Sequence, residues 1–89
     1  MSHPLGALAD NMTAYAIYAT AQSEMRRAYA LIETGDLNTA ANEVESAAHA
    51  AEVLAKASTE LDRKAHWRKV ASARQRFVDQ LRTELVVAA

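Results

Sequence analysis

Cysteine is absent from the chain, so neither a disulfide nor a thiolate metal site holds its fold, which fits a reducing compartment. Proline occurs once, at Pro4, and glycine twice, at Gly6 and Gly35, so almost nothing after residue 7 interrupts a helix. Strand patterning is missing as well, since nowhere do β-branched or aromatic residues alternate with polar ones over five positions. No apolar run approaches the roughly 18 residues of a membrane span. The opening MSHPLGALAD also lacks a basic region followed by an apolar one, so neither a membrane anchor nor a leader is expected. Charge of one sign is not in excess either: the formal net charge is −1, which argues against bulk electrostatic binding to nucleic acid. The expectation is an all-α protein of the cytoplasm with no membrane contact.

What is present is mostly alanine. Hydrophobic residues make up 51% of the chain, but 21 of them are alanines, so much of that figure is helix propensity and small-residue packing. With three tyrosines, one phenylalanine and one tryptophan, the core must rest on a short list of large residues. A chain of 89 residues is one domain, and a domain of this size buries roughly 60–65% of the surface its unfolded chain exposes. Charge is divided unevenly along it. Residues 1–58 carry three basic and seven acidic groups, and residues 59–89 carry seven basic and four acidic ones. Either two helices pair inside the fold or one outer surface is polarised.

Periodicity divides the chain into three helices. Helix 1 is expected over about residues 5–33, with Ser2 or Asp10 as N-cap. At about 100° per residue, Leu8, Met12, Tyr15, Tyr18, Met25, Tyr29 and Ile32 form its core stripe, interrupted by Gln22, while Ile17 and Leu31 lie to one side. Gly35 suits the left-handed position past a helix end, and Asp36 suits the cap of the next helix. So short a connection predicts an antiparallel hairpin. Helix 2 is expected over about residues 37–57, with Leu37, Ala40, Val44, Ala47, Ala51, Leu54 and Ala55 on one face. That face is widened by further alanines, which makes helix 2 the middle helix. From Trp67 through Val70, Phe77, Val78, Leu81 and Leu85 the apolar stripe sits about 140° away from that of helix 2. A break near KASTELD, with Ser58 or Thr59 as N-cap, resolves the mismatch and begins helix 3 at about 59–86. The alternative is one very long second helix whose far half packs on another chain.

Few residues point to chemistry. Glu45, His49 and Glu52 share a helical surface and offer nitrogen and oxygen ligands, but a helical carboxylate site needs matching ligands from other helices. They read as a solvated face. The stretch RKAHWRK, residues 63–69, is the densest basic run. Lys64, Arg68, Lys69 and Arg76 lie broadly opposite the apolar face of helix 3 and form the candidate interaction surface, while Trp67 shares the phase of Val70 and Phe77 and reads as core. Arg63 and Arg74 border the stripe, where carboxylates of helices 1 and 2 are in reach. No nucleophile elbow, phosphate-binding glycine loop or paired-carboxylate motif is present, so no catalytic residue, metal ligand or cofactor is expected.

The run Gly35, Asp36, Leu37, Ala40, Val44, Ala47 resembles the turn and second helix of a tetratricopeptide repeat, with Ala28 and Leu31 at the small and large positions of the preceding helix. Glu52 stands where the repeat has its proline, Arg27 where an apolar residue is usual, and no second copy follows. The microtubule-interacting-and-transport domain, a repeat-type hairpin plus a third helix, accommodates those departures, and AHWRKVASARQRFVDQL is similar in character to its third helix. That resemblance implies peptide-binding grooves beside helix 3. AANEVESAAHAAEVLAKA also looks like part of a HEPN domain, but Arg63 and His66 are too close together for that family's nuclease motif. The function expected is therefore a non-enzymatic protein–protein interaction module, an adaptor or stoichiometric inhibitor that binds a protein segment or a copy of itself. The alternative is nucleic-acid binding through basic helix 3.

Overall fold

A computed structural model describes residues 3–88, and the side chains of residues 3–86. A short 3₁₀ helix, Gly6–Asp10, precedes three α-helices, α1 (Met12–Glu33), α2 (Leu37–Ala57) and α3 (Leu61–Ala88). They pack as an all-α three-helix bundle 45 × 21 × 19 Å in extent, with α2 in the middle. Eight residues of α2 are buried, six of them alanine. A helix surface of methyl groups lets its neighbours approach closely on both sides. The remaining space between α1 and α3 is then bridged by long side chains. Tyr18 meets Trp67 edge to face with ring centroids 5.9 Å apart, and Tyr29 meets Phe77 at 5.9 Å. Arg74 lies between these two contacts, donating to the Ala47 carbonyl at 2.9 Å and to Gln22 Oε1 at 3.4 Å. Its hydrogen bonds thus go to carbonyl oxygens, while the carboxylate of Glu24 on α1 acts on it through charge alone, and burial lowers its pKa because the cation is taken from water.

The α1–α2 turn has the chemistry its sequence implies. Gly35 has φ +83°, its N–H donates to the Ile32 carbonyl at 3.0 Å, and the Asp36 N–H donates to the Leu31 carbonyl at 2.9 Å. This is a Schellman arrangement that satisfies two of the last carbonyls of α1. Asp36 Oδ1 then accepts from the Thr39 N–H at 3.2 Å and caps α2. A Cβ placed on Gly35 would meet nothing within 4 Å, so a substitution there is opposed by backbone conformation alone. Gly35→Val should therefore cost about 1–2 kcal/mol in chemical denaturation. An unchanged midpoint would mean the turn relaxes to negative φ at no cost.

The first turn of the expected helix 1 is a separate element. Asn11 stands at φ −88° and ψ 115° and caps α1 through Oδ1, which accepts from the Ala14 N–H at 3.0 Å. Asp10 is not the cap, and Ser2 lies outside the described residues. The core stripe of α1 also differs from the one periodicity suggests: Met12 is 88% exposed, Tyr15 46% and Tyr29 55%. The buried residues are Ala14, Ala21 and Ala28, with Ile17, Tyr18, Met25, Leu31 and Ile32 half-buried around them. Two helices that approach closely need small residues on both sides of the seam, so the alanines of α1 face those of α2. The bulky residues are displaced to the flanks.

The second break is real, and it excludes the single long helix. Ser58 is extended, with φ −71° and ψ 133°, and its buried hydroxyl donates to the Leu54 carbonyl at 2.8 Å. It therefore caps the end of α2 and not the start of α3. The hydrogen-bond ladder of α3 begins with the Lys64 N–H donating to the Glu60 carbonyl at 2.9 Å, which places Glu60, rather than Ser58 or Thr59, in the N-cap position. On α3 the buried residues are Trp67, Ala71, Val78 and Leu81, with Val70, Phe77 and Leu85 half-buried.

Leu5 completes the core from outside the three helices. It is buried in one cluster with Ala14, Ala51, Leu54, Ala55, Trp67 and Ala71. The segment that carries it is held by Trp67 Nε1, which donates to the Pro4 carbonyl at 3.2 Å, and by the Ala7 N–H, which donates to Glu60 at 2.9 Å. Gly6 has φ +57°, and a Cβ there would run into Glu60 Oε1 and approach Arg63 Nε to 3.0 Å. Both the backbone conformation and the close approach call for glycine at this position.

Candidate interaction surfaces

The four cations of the candidate surface do not act together. Lys64 is half-buried, and its ammonium donates to the Ala55 carbonyl at 2.9 Å. Ala55 lies in the last turn of α2, where carbonyls lack helical partners and the helix dipole favours a positive charge. Lys64 therefore fastens α3 to the end of α2. Arg68, Lys69 and Arg76 are exposed on the outer side of α3. Among the described residues none of these three forms an ion pair, whereas Arg27 pairs with Glu43 at 3.2 Å and Arg82 with Glu45 at 2.9 Å. The Glu45–Arg82 contact is two-pronged; its hydrogen bond and charge lower the Glu45 pKa and raise that of Arg82. The uneven charge along the chain is thus partly used to join α2 to α3 and partly left on the outside.

Around the exposed cations the surface is concave. Arg68, Lys69 and Arg76 surround a hollow of about 540 Å³ whose centre is Ser72 and Ala73. Through Arg68 and Ser72 it runs into a groove of about 510 Å³ between α3 and α2, with Ala55 and Ala71 at its base and Glu52 and Lys56 on the α2 side. Small residues at the base are what make both depressions: a leucine at Ser72 or Ala73 would fill the first. A third groove, about 450 Å³, runs between α1 and α2 and is lined by Ala16, Ile17, Thr20, Ser46, Ala50 and Val53 among others. Sequence reasoning missed it. Its signal is the small outward residues Ala16 and Ala50 beside the off-stripe Ile17.

The other residues considered for chemistry are dispersed. Trp67 is 3% exposed and offers no ring face for stacking on a base. Glu45 is held by Arg82, His49 lines the α1–α2 groove, and no group of three histidine, aspartate or glutamate side chains able to hold a metal occurs among the described residues. His3 belongs to the docked N-terminal segment, where its Nδ1 accepts from the Leu5 N–H at 3.1 Å. No helix of the described residues is long and apolar enough to cross a membrane. No model of a known protein family matches the chain, and neither a curated protein nor a solved structure does.

Proposed function

We propose that the chain is a non-enzymatic helical interaction module, an adaptor or stoichiometric inhibitor, that holds a segment of a partner protein on the open side of α3. The observation that carries this reading is the strip of Arg68, Lys69 and Arg76, three exposed cations without ion pairs set around a hollow floored by Ser72 and Ala73. Water solvates such charges well enough that they cost the fold little, so they are free to meet carboxylates of another molecule. The hollow lets a second chain come within contact distance between them. The inner face of the same helix is anchored by Trp67, Val78 and Leu81, so the strip is presented on a rigid support. The similarity of α3 to the third helix of microtubule-interacting-and-transport domains supports the same side of the bundle.

Nucleic acid would use the same cations, and salt separates the two readings. Neutralising three phosphates gives a slope of log affinity against log salt of about −3. A protein segment that also fills the hollow would depend on salt much less, since charges at a rim mainly set the association rate. We expect negligible binding to mixed-sequence DNA and RNA at physiological salt. We also expect one stoichiometric partner captured from extract by the chain and lost in the Arg68→Glu/Lys69→Glu/Arg76→Glu variant, whose melting temperature stays close to that of the parent. Micromolar nucleic-acid binding that disappears in the same variant would overturn the protein-interaction reading.

A further inference from the structure

We infer that the segment held on α3 is an acidic amphipathic helix with two carboxylates seven or eight residues apart and an apolar residue midway between them. The inference rests on the interaction-module reading and specifies its ligand. Arg68 and Arg76 are eight residues apart on α3 and Lys69 and Arg76 seven, a separation of about 10–12 Å along the axis at 1.5 Å per residue. Midway between them lie Ser72 and Ala73, the residues at the base of the hollow. Charge thus stands at both ends of the strip and open space at its centre. The complementary object carries negative charge at both ends and an apolar side chain at the centre, where it displaces water from the hollow.

The partner is a helix and not an extended strand because of what α3 offers. Strand addition draws its affinity from unpaired main-chain groups at a sheet edge. Mid-helix N–H and C=O groups are paired within α3 and present no such edge. Recognition must come from side chains, and small residues at the seam let two helix backbones approach, as they do between α1 and α2. On a facing helix, residues seven apart return to the same side after two turns, which matches the spacing of the cations. A second copy of the chain fits poorly. Its carboxylates at this spacing on one helix are Glu45 and Glu52. Glu45 is held by Arg82, and the residues midway are buried Ala48 and the polar His49.

The test uses the intact protein and three labelled helix-forming peptides of one length. The first carries glutamates at positions i and i+7 with leucines at i+3 and i+4; the second moves the later glutamate to i+5; the third replaces both glutamates by lysine. Binding is read by fluorescence anisotropy at physiological salt. Exposed ion pairs contribute roughly two- to fivefold each, so the first peptide, which keeps one more of them, should bind roughly two- to fivefold more tightly than the second. The Arg68→Glu/Arg76→Glu protein, which keeps its fold because both side chains lie outside the core, should reverse the preference towards the lysine peptide. Equal binding of the first two peptides, with both sensitive to the strip variant, would overturn the helical spacing and leave the interaction surface standing. Failure of every peptide, together with loss of the strip-dependent partner, would overturn both. A concentration-dependent dimer in sedimentation that dissolves in the strip variant would show a second copy of the chain to be the occupant, and would sink this assignment.

Discussion

Trp67→Ala should lower stability by about 3–5 kcal/mol, as for other large buried aromatics truncated in a core. A domain of this size shifts its melting temperature by roughly 4–8 °C per kcal/mol, so the fall should exceed about 12 °C. Trp67 is nearly inaccessible and lies in one buried cluster with Leu54, Ala51, Ala55 and Ala71, of which the three alanines are too short to reach into the space it would leave. Its loss also removes the edge-to-face contact with Tyr18 and frees the Pro4 carbonyl from its indole partner. Trp67→Phe keeps an aromatic ring in place and should cost much less. Trp67 is the chain's sole tryptophan, so the comparison is made by far-ultraviolet circular dichroism in denaturant and not by its fluorescence. A Trp67→Ala protein with a parental midpoint would place this ring on the surface and reopen base stacking as its role.

Leu5→Ala should cost about 2–5 kcal/mol, a loss comparable to that of a leucine in the middle of a core helix. The expectation is strong for a residue in a short N-terminal segment, because terminal residues usually contribute little. Leu5 differs in being 1% exposed and in closing the space above Trp67 that the three helices leave open. The segment is anchored independently by the Pro4 carbonyl and the Ala7 N–H. Equal denaturation midpoints for Leu5→Ala and the parent would show that the segment does not dock. Gly6→Ala offers a second readout, since a left-handed conformation and the crowding by Glu60 and Arg63 both oppose it, whereas Gly35→Val meets only the first.

Much of the architecture was legible because local chemistry and tertiary packing agree on it. Gly35 and Asp36 need only their own backbone and the Asp36 carboxylate to form a Schellman turn followed by a cap. The break before α3 was legible from the change in apolar phase between Leu54 and Trp67, although the residue that performs the capping was misplaced by one or two positions. Ser58 was free to serve either helix. Its hydroxyl turns back to the Leu54 carbonyl, which also accepts the Ser58 N–H, because the site is buried and the hydroxyl itself needs a partner there.

The candidate surface was legible in part. Arg68, Lys69 and Arg76 fall opposite the apolar stripe and stand exposed on the outer side of α3. Lys64 shares their side by helical phase, yet its position in the first turn of α3 brings its long stem beside the end of α2, a proximity that no helical wheel contains. The hollow at Ser72 and Ala73 was unreadable for a related reason. Small residues on an outer face are ordinary in a helix, and they become a depression only when long neighbours stand around them.

By itself the sequence determined the all-α class, the reversal at Gly35 and Asp36 and the identity of α2 as the middle element, since each follows from residue type and period along one segment, whereas the single long helix left as an alternative was excluded only by the extended Ser58 of the structure. Only the tertiary structure decided which side of α1 is core. Periodicity favoured the tyrosines and methionines because it weighs bulk, whereas the seam with an alanine-rich helix selects for closeness, so Ala14, Ala21 and Ala28 are buried and Met12 is exposed. The docking of Leu5 over Trp67 was decided in the same way: a leucine beside a proline and a glycine carries no pattern, and its burial depends on a cavity that exists only after three helices have packed.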